Sequence, residues 1–378
     1  MNKKLVAAAL GLAFAAPVFA DSSNVTLYGR IHQVIDNQSV SDNAGFDKGG
    51  NSVISDASSR LGVRGQEDLG GGLSAIFAYE FGVDTDNGAG IGGASRHTYL
   101  GMKGGFGTLV IGQQDGGNDS QAPLYNQASL IGSVSNNGGP LTTVGSTNFG
   151  VAPATAIAAG EVTTAIARNQ RTSNSIGYAT NIAGVEINSR YAQLGTNDQG
   201  NNVNLFTGAA VAGGKETGTR EFEVAATYKL GALTLGGGWQ EFDQQGQDPT
   251  TAASPERLLQ AVASYNFGSF TVGGLVAQTS LAGSNPANGE DSNTEFALSA
   301  TMPLTANSGI FGMYADSERN NDASPFDVTQ LQIAYYYDFS KRTRTYVGFN
   351  RLNQEETTGA TRDEFDVDNF TVGLRHNF

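Results

Sequence analysis

The chain offers few groups for covalent chemistry. Its three histidines, His32, His97 and His376, are scattered and lack the spacing of metal ligands. Gly88-Ala89-Gly90-Ile91-Gly92-Gly93 fits the glycine pattern of a dinucleotide loop, whose backbone amides cradle a pyrophosphate at a helix N-terminus. No helical pattern follows it and no βαβ unit surrounds it, so it reads as a flexible connection. Gly214-Lys215-Glu216 lacks the upstream glycine and the Ser or Thr of a phosphate loop. No serine elbow of the hydrolase type occurs. Glu355-Glu356 sits in a polar stretch and reads as solvated acids rather than an acid–base pair. With no cysteine at all, neither thiolate metal sites nor disulfides are available. These observations argue against an enzyme, and no cofactor and no metal are expected.

The residues that remain are arginines set into alternating segments. In 24–36, Val25, Leu27, Gly29 and Ile31 share one face, while Thr26, Arg30 and His32 share the other. In 57–67, Leu61 and Val63 oppose Arg60, Arg64 and Gln66. In 365–378, Phe370, Val372, Leu374 and Phe378 oppose Thr371, Arg375 and Asn377. Sixteen such segments follow one another: 24–36, 57–67, 71–83, 95–103, 107–114, 171–180, 183–192, 220–230, 232–243, 256–266, 269–280, 292–303, 308–316, 327–338, 341–352 and 365–378. Short Gly-rich connections alternate strictly with long polar ones. The long ones are 37–56, 84–94, 115–170, 193–219, 244–255, 281–291, 317–326 and 353–364.

That organisation predicts an all-β fold, a sixteen-stranded antiparallel transmembrane β-barrel with short turns at one rim and long connections at the other. An even count lets the ends of the sheet meet, which leaves no lipid-facing edge with unpaired backbone groups. The apolar faces should then meet lipid and the polar faces a wet lumen. An arginine facing lipid would cost about 2–4 kcal/mol near the midplane, so Arg30, Arg60 and Arg64 belong inside. Aromatics gather near strand ends (Phe77, Tyr79 and Phe81; Tyr265, Phe267 and Phe270; Tyr335 and Tyr337; Phe378), as interfacial girdles do.

Residues 1–20 read as a cleaved signal peptide. Lys3 and Lys4 precede an apolar stretch from Leu5 to Ala16, and Val18-Phe19-Ala20 suits cleavage before Asp21. The stretch is too short for a spanning helix, which needs roughly 20 apolar residues. Export leaves 21–378 as one barrel domain in the outer membrane. The formal net charge is −14, and removing the peptide takes away two lysines and no acids. Such acidity excludes nucleic acid as a partner. The excess lies almost wholly in the long connections. Divalent cations are therefore candidate partners there, and a mild cation preference is expected.

Several motifs resemble the trimeric general diffusion porins of Gram-negative outer membranes. Val25-Thr26-Leu27-Tyr28-Gly29-Arg30 resembles that family's opening strand, and Ser59 to Leu73 its second hairpin. Arg96-His97-Thr98-Tyr99-Leu100-Gly101-Met102-Lys103 with Phe106-Gly107-Thr108-Leu109 resembles the next. Arg171-Thr172-Ser173-Asn174-Ser175-Ile176-Gly177-Tyr178 resembles the strand after the family's inward-folded third outer loop. The likeness runs the length of the mature chain in the family's order. It implies a passive channel for small hydrophilic solutes and ions, and a constriction loop at 115–170 folded into the lumen, with a short helix in the Ala-rich 152–168. It further implies a basic constriction wall of Arg30, Arg60, Arg64, Arg96 and Arg171 facing loop acids, here Asp115 and Asp119. Gln113 stands where many relatives carry arginine. As partners the resemblance implies a homotrimer, outer-membrane lipid and lipopolysaccharide. The barrel-assembly machinery would read the C-terminal strand through Phe378, the assembly signal.

Three other classes bear comparison. A barrel phospholipase would need a Ser/His pair on one outward face. A substrate-specific channel would show a file of aromatics along the lumen, whereas the inward sets read as mostly polar or basic. An adhesive barrel would bind a partner through its outer loops.

Overall fold

Gly, Thr, Val, Tyr and Phe at alternating positions favour extended backbone whose successive side chains point to opposite faces. The structure, a computed structural model, describes residues 24–42, 47–57, 59–86, 90–115, 171–194, 202–203, 210–211, 219–244, 254–282, 292–320, 326–358 and 361–378. The strands are β1 (Asn24–Asp42), β2 (Asp47–Asp56), β3 (Arg60–Gly70), β4 (Leu73–Asp84), β5 (Gly90–Gly104), β6 (Gly107–Asp115), β7 (Arg171–Ile182) and β8 (Val185–Leu194). Then come β9 (Asn202–Val203), β10 (Ala210–Val211), β11 (Thr219–Leu230), β12 (Leu233–Gln244), β13 (Ser254–Asn266), β14 (Thr271–Ala282) and β15 (Ser292–Thr305). The last are β16 (Ser308–Asn320), β17 (Phe326–Asp338), β18 (Thr343–Thr358) and β19 (Thr361–Asn377).

Each wall strand pairs antiparallel with its neighbours, and β19 pairs with β1, so the sheet is a closed ring. β2 and β3 are two stretches of a single wall strand. β3 pairs with the first part of β1 (Asn24↔Gln66 to Arg30↔Arg60), and β2 pairs further along (Gln33↔Asp56 onward). Taking them together, the ring has sixteen positions. β9 and β10 make a separate two-stranded ladder. At the seam, the Gly29 amide donates to the Phe378 carbonyl at 3.2 Å and the Phe378 amide donates back at 3.1 Å. Closure of this kind is what lipid demands, because no water is present to satisfy an open edge.

Tight turns link the strands at one rim. Side-chain oxygens of Asp68, Asn181 and Asn266 accept from the amides of Gly70, Gly184 and Gly268 at 2.9, 3.0 and 2.7 Å. These local bonds hold the chain in turn geometry. Ala183 itself adopts φ +53° beside Gly184 at +87°, so this turn carries one left-handed residue with a side chain.

Four cross-strand pairs lay an aromatic ring over a glycine: Tyr28 with Gly62, Phe77 with Gly65, Tyr336 with Gly309 and Tyr346 with Gly373. The missing Cβ leaves room for the ring, and the ring fills the gap that glycine leaves in the sheet.

Outward faces are apolar and exposed, as at Leu27 (63% exposed), Leu298 and Ile333. Among the aromatics, Tyr265 packs edge-on against Phe267 with centroids 4.5 Å apart, and Phe267 stacks on Phe270 at 4.6 Å, next to a tight turn.

Two expectations from the sequence need correction. First, the strands run well past the segments that alternation shows. Residues 37–56 are largely a β1–β2 hairpin ladder, with Asn37↔Ser52 and Val40↔Lys48 paired, and 353–364 is nearly all ladder, closing at Thr358↔Thr361. β4 and β5 likewise intrude into 84–94, and β16 and β17 into 317–326. Beyond lipid both faces of a strand are polar, so the period-two apolar signal fades although backbone pairing continues.

Second, the inner face is not uniformly polar. A row of register partners, Val262–Leu275–Ala297–Ala315–Gln330–Leu352–Val367–Val40, crosses seven strands and then β1, and every member is buried. Phe311 and Met313 join it. In β14 and β16 both faces carry apolar side chains, with Leu275, Ala277, Phe311, Met313 and Ala315 inside, so alternation there does not tell inside from outside. The proposed signal peptide, Asp119 and the 152–168 segment lie outside the described residues.

Candidate channel lining

Register assigns each inward side chain. Arg30 faces Arg60 across β1 and β3, and Arg60 faces Gly82 on β4. On the same inner face, Gly62 pairs with Glu80 and Arg64 pairs with Thr26. The β4–β5 ladder bulges between Tyr79↔Thr98 and Phe81↔Ser95, setting Arg96 and His97 both opposite Glu80. A bulge places two consecutive side chains where one would otherwise fit, and here it brings Arg96 onto the inner face. Arg96 Nε donates to Glu80 Oε1 at 2.6 Å, and Arg60 Nε lies 3.8 Å from Glu80 Oε2. All three side chains are mostly buried. Arg30 Nε donates to Asn377 Oδ1 at 2.9 Å, and the Arg64 guanidinium lies over the Tyr28 ring, 4.9 Å from its centroid.

The basic wall continues across the seam. Arg375 is the register partner of His32 on β1 and of Arg344 on β18. Arg344 forms a two-pronged pair with Asp338, at 2.6 and 2.8 Å, and lies 4.2 Å from the Tyr336 centroid. His32 is fully buried, with Nε2 2.8 Å from the Tyr346 hydroxyl. Like charges directly opposite each other destabilise a sheet, yet Arg30↔Arg60 and Arg344↔Arg375 are both such pairs. A local rule broken twice in one place is the mark of a site kept for function rather than for stability.

A second charged group stands elsewhere on the inner face. Arg190 Nη2 bonds Glu221 Oε1 at 2.9 Å and Glu223 Oε2 at 2.6 Å, and Gln240 Nε2 donates to Glu221 Oε1 at 2.8 Å.

Of the residues read from the sequence, Arg30, Arg60, Arg64 and Arg96 come together on one stretch of inner wall. Arg171 opens β7 with Asp115 as its backbone partner, so the connection between them leaves and rejoins the wall at one point. Asp119 lies outside the described residues. Phe378 closes the seam. Sequence reasoning did not single out Glu80, Arg344, Arg190, Glu221 and Glu223. Each sits at an inward parity position, so alternation carried a signal for all of them, but nothing local ranks one inward charge above another. Among the described residues no group of three or more His, Asp or Glu side chains could hold a metal. The Thr343 hydroxyl and His376 Nδ1 lie 2.8 Å apart near the short-turn rim.

A closed ring of this strand count with arginines clustered inside meets a direct counterpart in sequence. The profile of the Gram-negative porins matches residues 6–357. The chain belongs to the Gram-negative porin family. It is similar to the major outer membrane protein P.IB of Neisseria meningitidis serogroup A, 38% identical over 120 residues, which cover 30% of this chain and 34% of that protein. A P.IB protein of Neisseria gonorrhoeae is 35% identical over 136 residues, 35% of each chain. The matched region thus spans about a third of these relatives. In fold the porin resembles a loop L8 deletion mutant of OmpT from Vibrio cholerae, with TM-score 0.65 and 15% identity over 95% of this chain and all of that one. It also resembles Salmonella typhi OmpF, solved with daunomycin, with TM-score 0.58 and 12% identity over 94% and 97%. The porin is accordingly an outer-membrane β-barrel.

Proposed function

We propose that this porin forms a water-filled channel through which small hydrophilic solutes and ions diffuse passively, and that it works as a homotrimer. The observation that carries the reading is the closed sixteen-position ring with apolar side chains outside and an arginine cluster inside. Ordered guanidinium groups along one inner wall set up a transverse field in which polar solutes align, whereas apolar solutes lose hydration and gain little. No bond is made or broken.

The connection between Asp115 and Arg171 is proposed to fold inward as a constriction, with Asp115 and Asp119 turned toward the arginines. The apolar inner row from Val262 to Val40 supports this. Buried apolar side chains facing a wide aqueous lumen would be wetted unless a segment lay against them. Outer-membrane lipid, lipopolysaccharide, divalent cations at the acidic outer connections, and the barrel-assembly machinery acting on the C-terminal strand are proposed as partners. The acidic outer connections support a mild cation preference, which the inner arginines oppose.

One observation favours a second reading, a channel selective for particular solutes. Tyr28, Tyr99, Tyr336 and Tyr346 stand on the inner face among the arginines, giving ring surfaces beside guanidinium groups. Planar-bilayer conductance with reversal potentials in a salt gradient tests both. Channel steps from the purified porin support passive diffusion, and their absence sinks it. Block of the current by low concentrations of one solute class, and not by others, would favour the selective channel.

A further inference from the structure

We infer that Arg344 and Arg375 form a binding site on the inner wall, near the short-turn mouth, for the carboxylate or phosphate group of a permeating anion. The inference rests on the channel reading above.

Placement is the first argument. Register partners run Asp338–Arg344–Arg375–His32 over β17, β18, β19 and β1, all on the inner face. Arg344 is the second residue of β18, just after a short turn, and Arg375 lies close to the chain end at Phe378. Arg60, Glu80 and Arg96 lie further along their strands from the short turns at Gly70–Leu73 and Gly104–Gly107. The Arg344–Arg375 pair is therefore a separate stop on the basic wall, nearer the mouth.

Charge is the second argument. Across the ladder Arg375 meets Arg344 and His32, and along its own strand its inward neighbours are Gly373 and Asn377. None of these is an acid. The Tyr346 ring lies over Gly373, with its hydroxyl 2.8 Å from His32 Nε2, and Asn377 Oδ1 accepts from Arg30 Nε at 2.9 Å. Asp338 holds Arg344 through both of its oxygens. Among the described residues Arg375 makes no ion pair and no side-chain hydrogen bond, and its Nε is buried without a partner. One carboxylate thus answers two guanidinium groups. Access is the third argument. The Arg344 side chain is 21% exposed and Arg375 is half-buried, and at inward positions that opening faces the lumen. A guanidinium donates in a fixed fork that matches a carboxylate or phosphate with two parallel bonds. Directly opposite residues hold their Cβ atoms about 4.5–5.5 Å apart, close enough for one oxyanion to meet both forks. Asp338 and the Tyr336 ring, 4.2 Å away, already hold Arg344 in place, so little freedom is lost when an anion docks.

Block of the potassium chloride current through the porin in planar bilayers tests the assignment, with succinate and inorganic phosphate as probes. The parent current should fall as either probe is raised. Arg375→Gln should raise the half-blocking concentration about tenfold, the loss of one charge-assisted hydrogen bond. Arg375→Lys keeps the charge without the fork and should raise it less, about threefold. Lys229→Gln removes a positive charge from the same rim on β11, and should leave it within about twofold. Where Arg375→Gln does not insert, Arg375→Lys decides alone, a rise supporting the site and no change overturning it. Arg375-dependent block by succinate only assigns the site to carboxylates, and by phosphate only to phosphates. A conducting parent blocked by neither probe overturns the inference. So does an unchanged half-blocking concentration in Arg375→Gln, or an equal rise in Lys229→Gln. A parent porin that gives no conductance overturns the channel reading instead, so the two failures are distinguishable.

Discussion

Exchanging two adjacent residues of β17 for arginine tests the orientation of the whole wall. Ile333 points outward, is 53% exposed, and lies between Gly312 and Phe349 on the neighbouring strands. Gln332, one residue away, points inward between Met313 and Asn350. An arginine at position 333 must hold its guanidinium in hydrocarbon, at a cost of about 2–4 kcal/mol near the midplane. Three kcal/mol is roughly a hundredfold in the folding equilibrium. The same side chain at position 332 stays in the lumen and should change stability by no more than about 0.5 kcal/mol, as surface substitutions do. Guanidinium titration of the porin folded into phospholipid vesicles measures both, read as the shift in midpoint at constant slope. A large loss for Gln332→Arg with none for Ile333→Arg would mean that the apolar face points inward, as in a soluble sandwich, and the membrane orientation would be refuted.

Three further outcomes are expected. Glu80→Gln removes the carboxylate between Arg60 and Arg96. It should cost about 1–3 kcal/mol and move selectivity toward anions, measured by vesicle refolding and by reversal potential. A shift toward cations would contradict the placement of that carboxylate in the lumen. Gly29→Leu puts a side chain where the Phe378 ring lies and 2.7 Å from the Arg60 carbonyl. Overpacking of about 1–3 kcal/mol at the seam should appear as a lowered temperature for loss of the folded band in heated gel samples. Removing Phe378 deletes both of its backbone bonds to Gly29. Pulse-chase insertion assays should show slower assembly, and normal assembly would count against a role for the C-terminal residue.

Legibility in the sequence differed from element to element. β1 and β3 were readable because one face is apolar and the other carries Arg30, Arg60 and Arg64, a contrast the pleat makes strictly local. β14 and β16 were not readable to the same degree. Leu275, Phe311 and Met313 point inward although they resemble the outward residues beside them, so composition alone gave no side. In the sequence the outer ends of β1, β2, β18 and β19 look like loop, because backbone pairing outside lipid leaves no apolar trace. In the candidate site, the arginines of Ser59–Arg64 and Arg96–Lys103 stood out through their motifs. Glu80 did not, since its partner Arg96 reaches it only through a bulge that spacing does not announce.

The sequence by itself determined the class of wall: strands of alternating face, short turns against long connections, and charges that cannot sit in lipid. These follow from the period-two geometry of one strand and its solvent, and need no distant partner. The tertiary structure alone decided which charges meet. That Arg30 opposes Arg60, that Arg375 opposes His32 across the seam, and that Arg190 meets Glu221 and Glu223 depend on register and on closure of the ring. Both arise from pairing between residues far apart in the chain, and no local pattern encodes where a closed sheet will bring its two sides face to face.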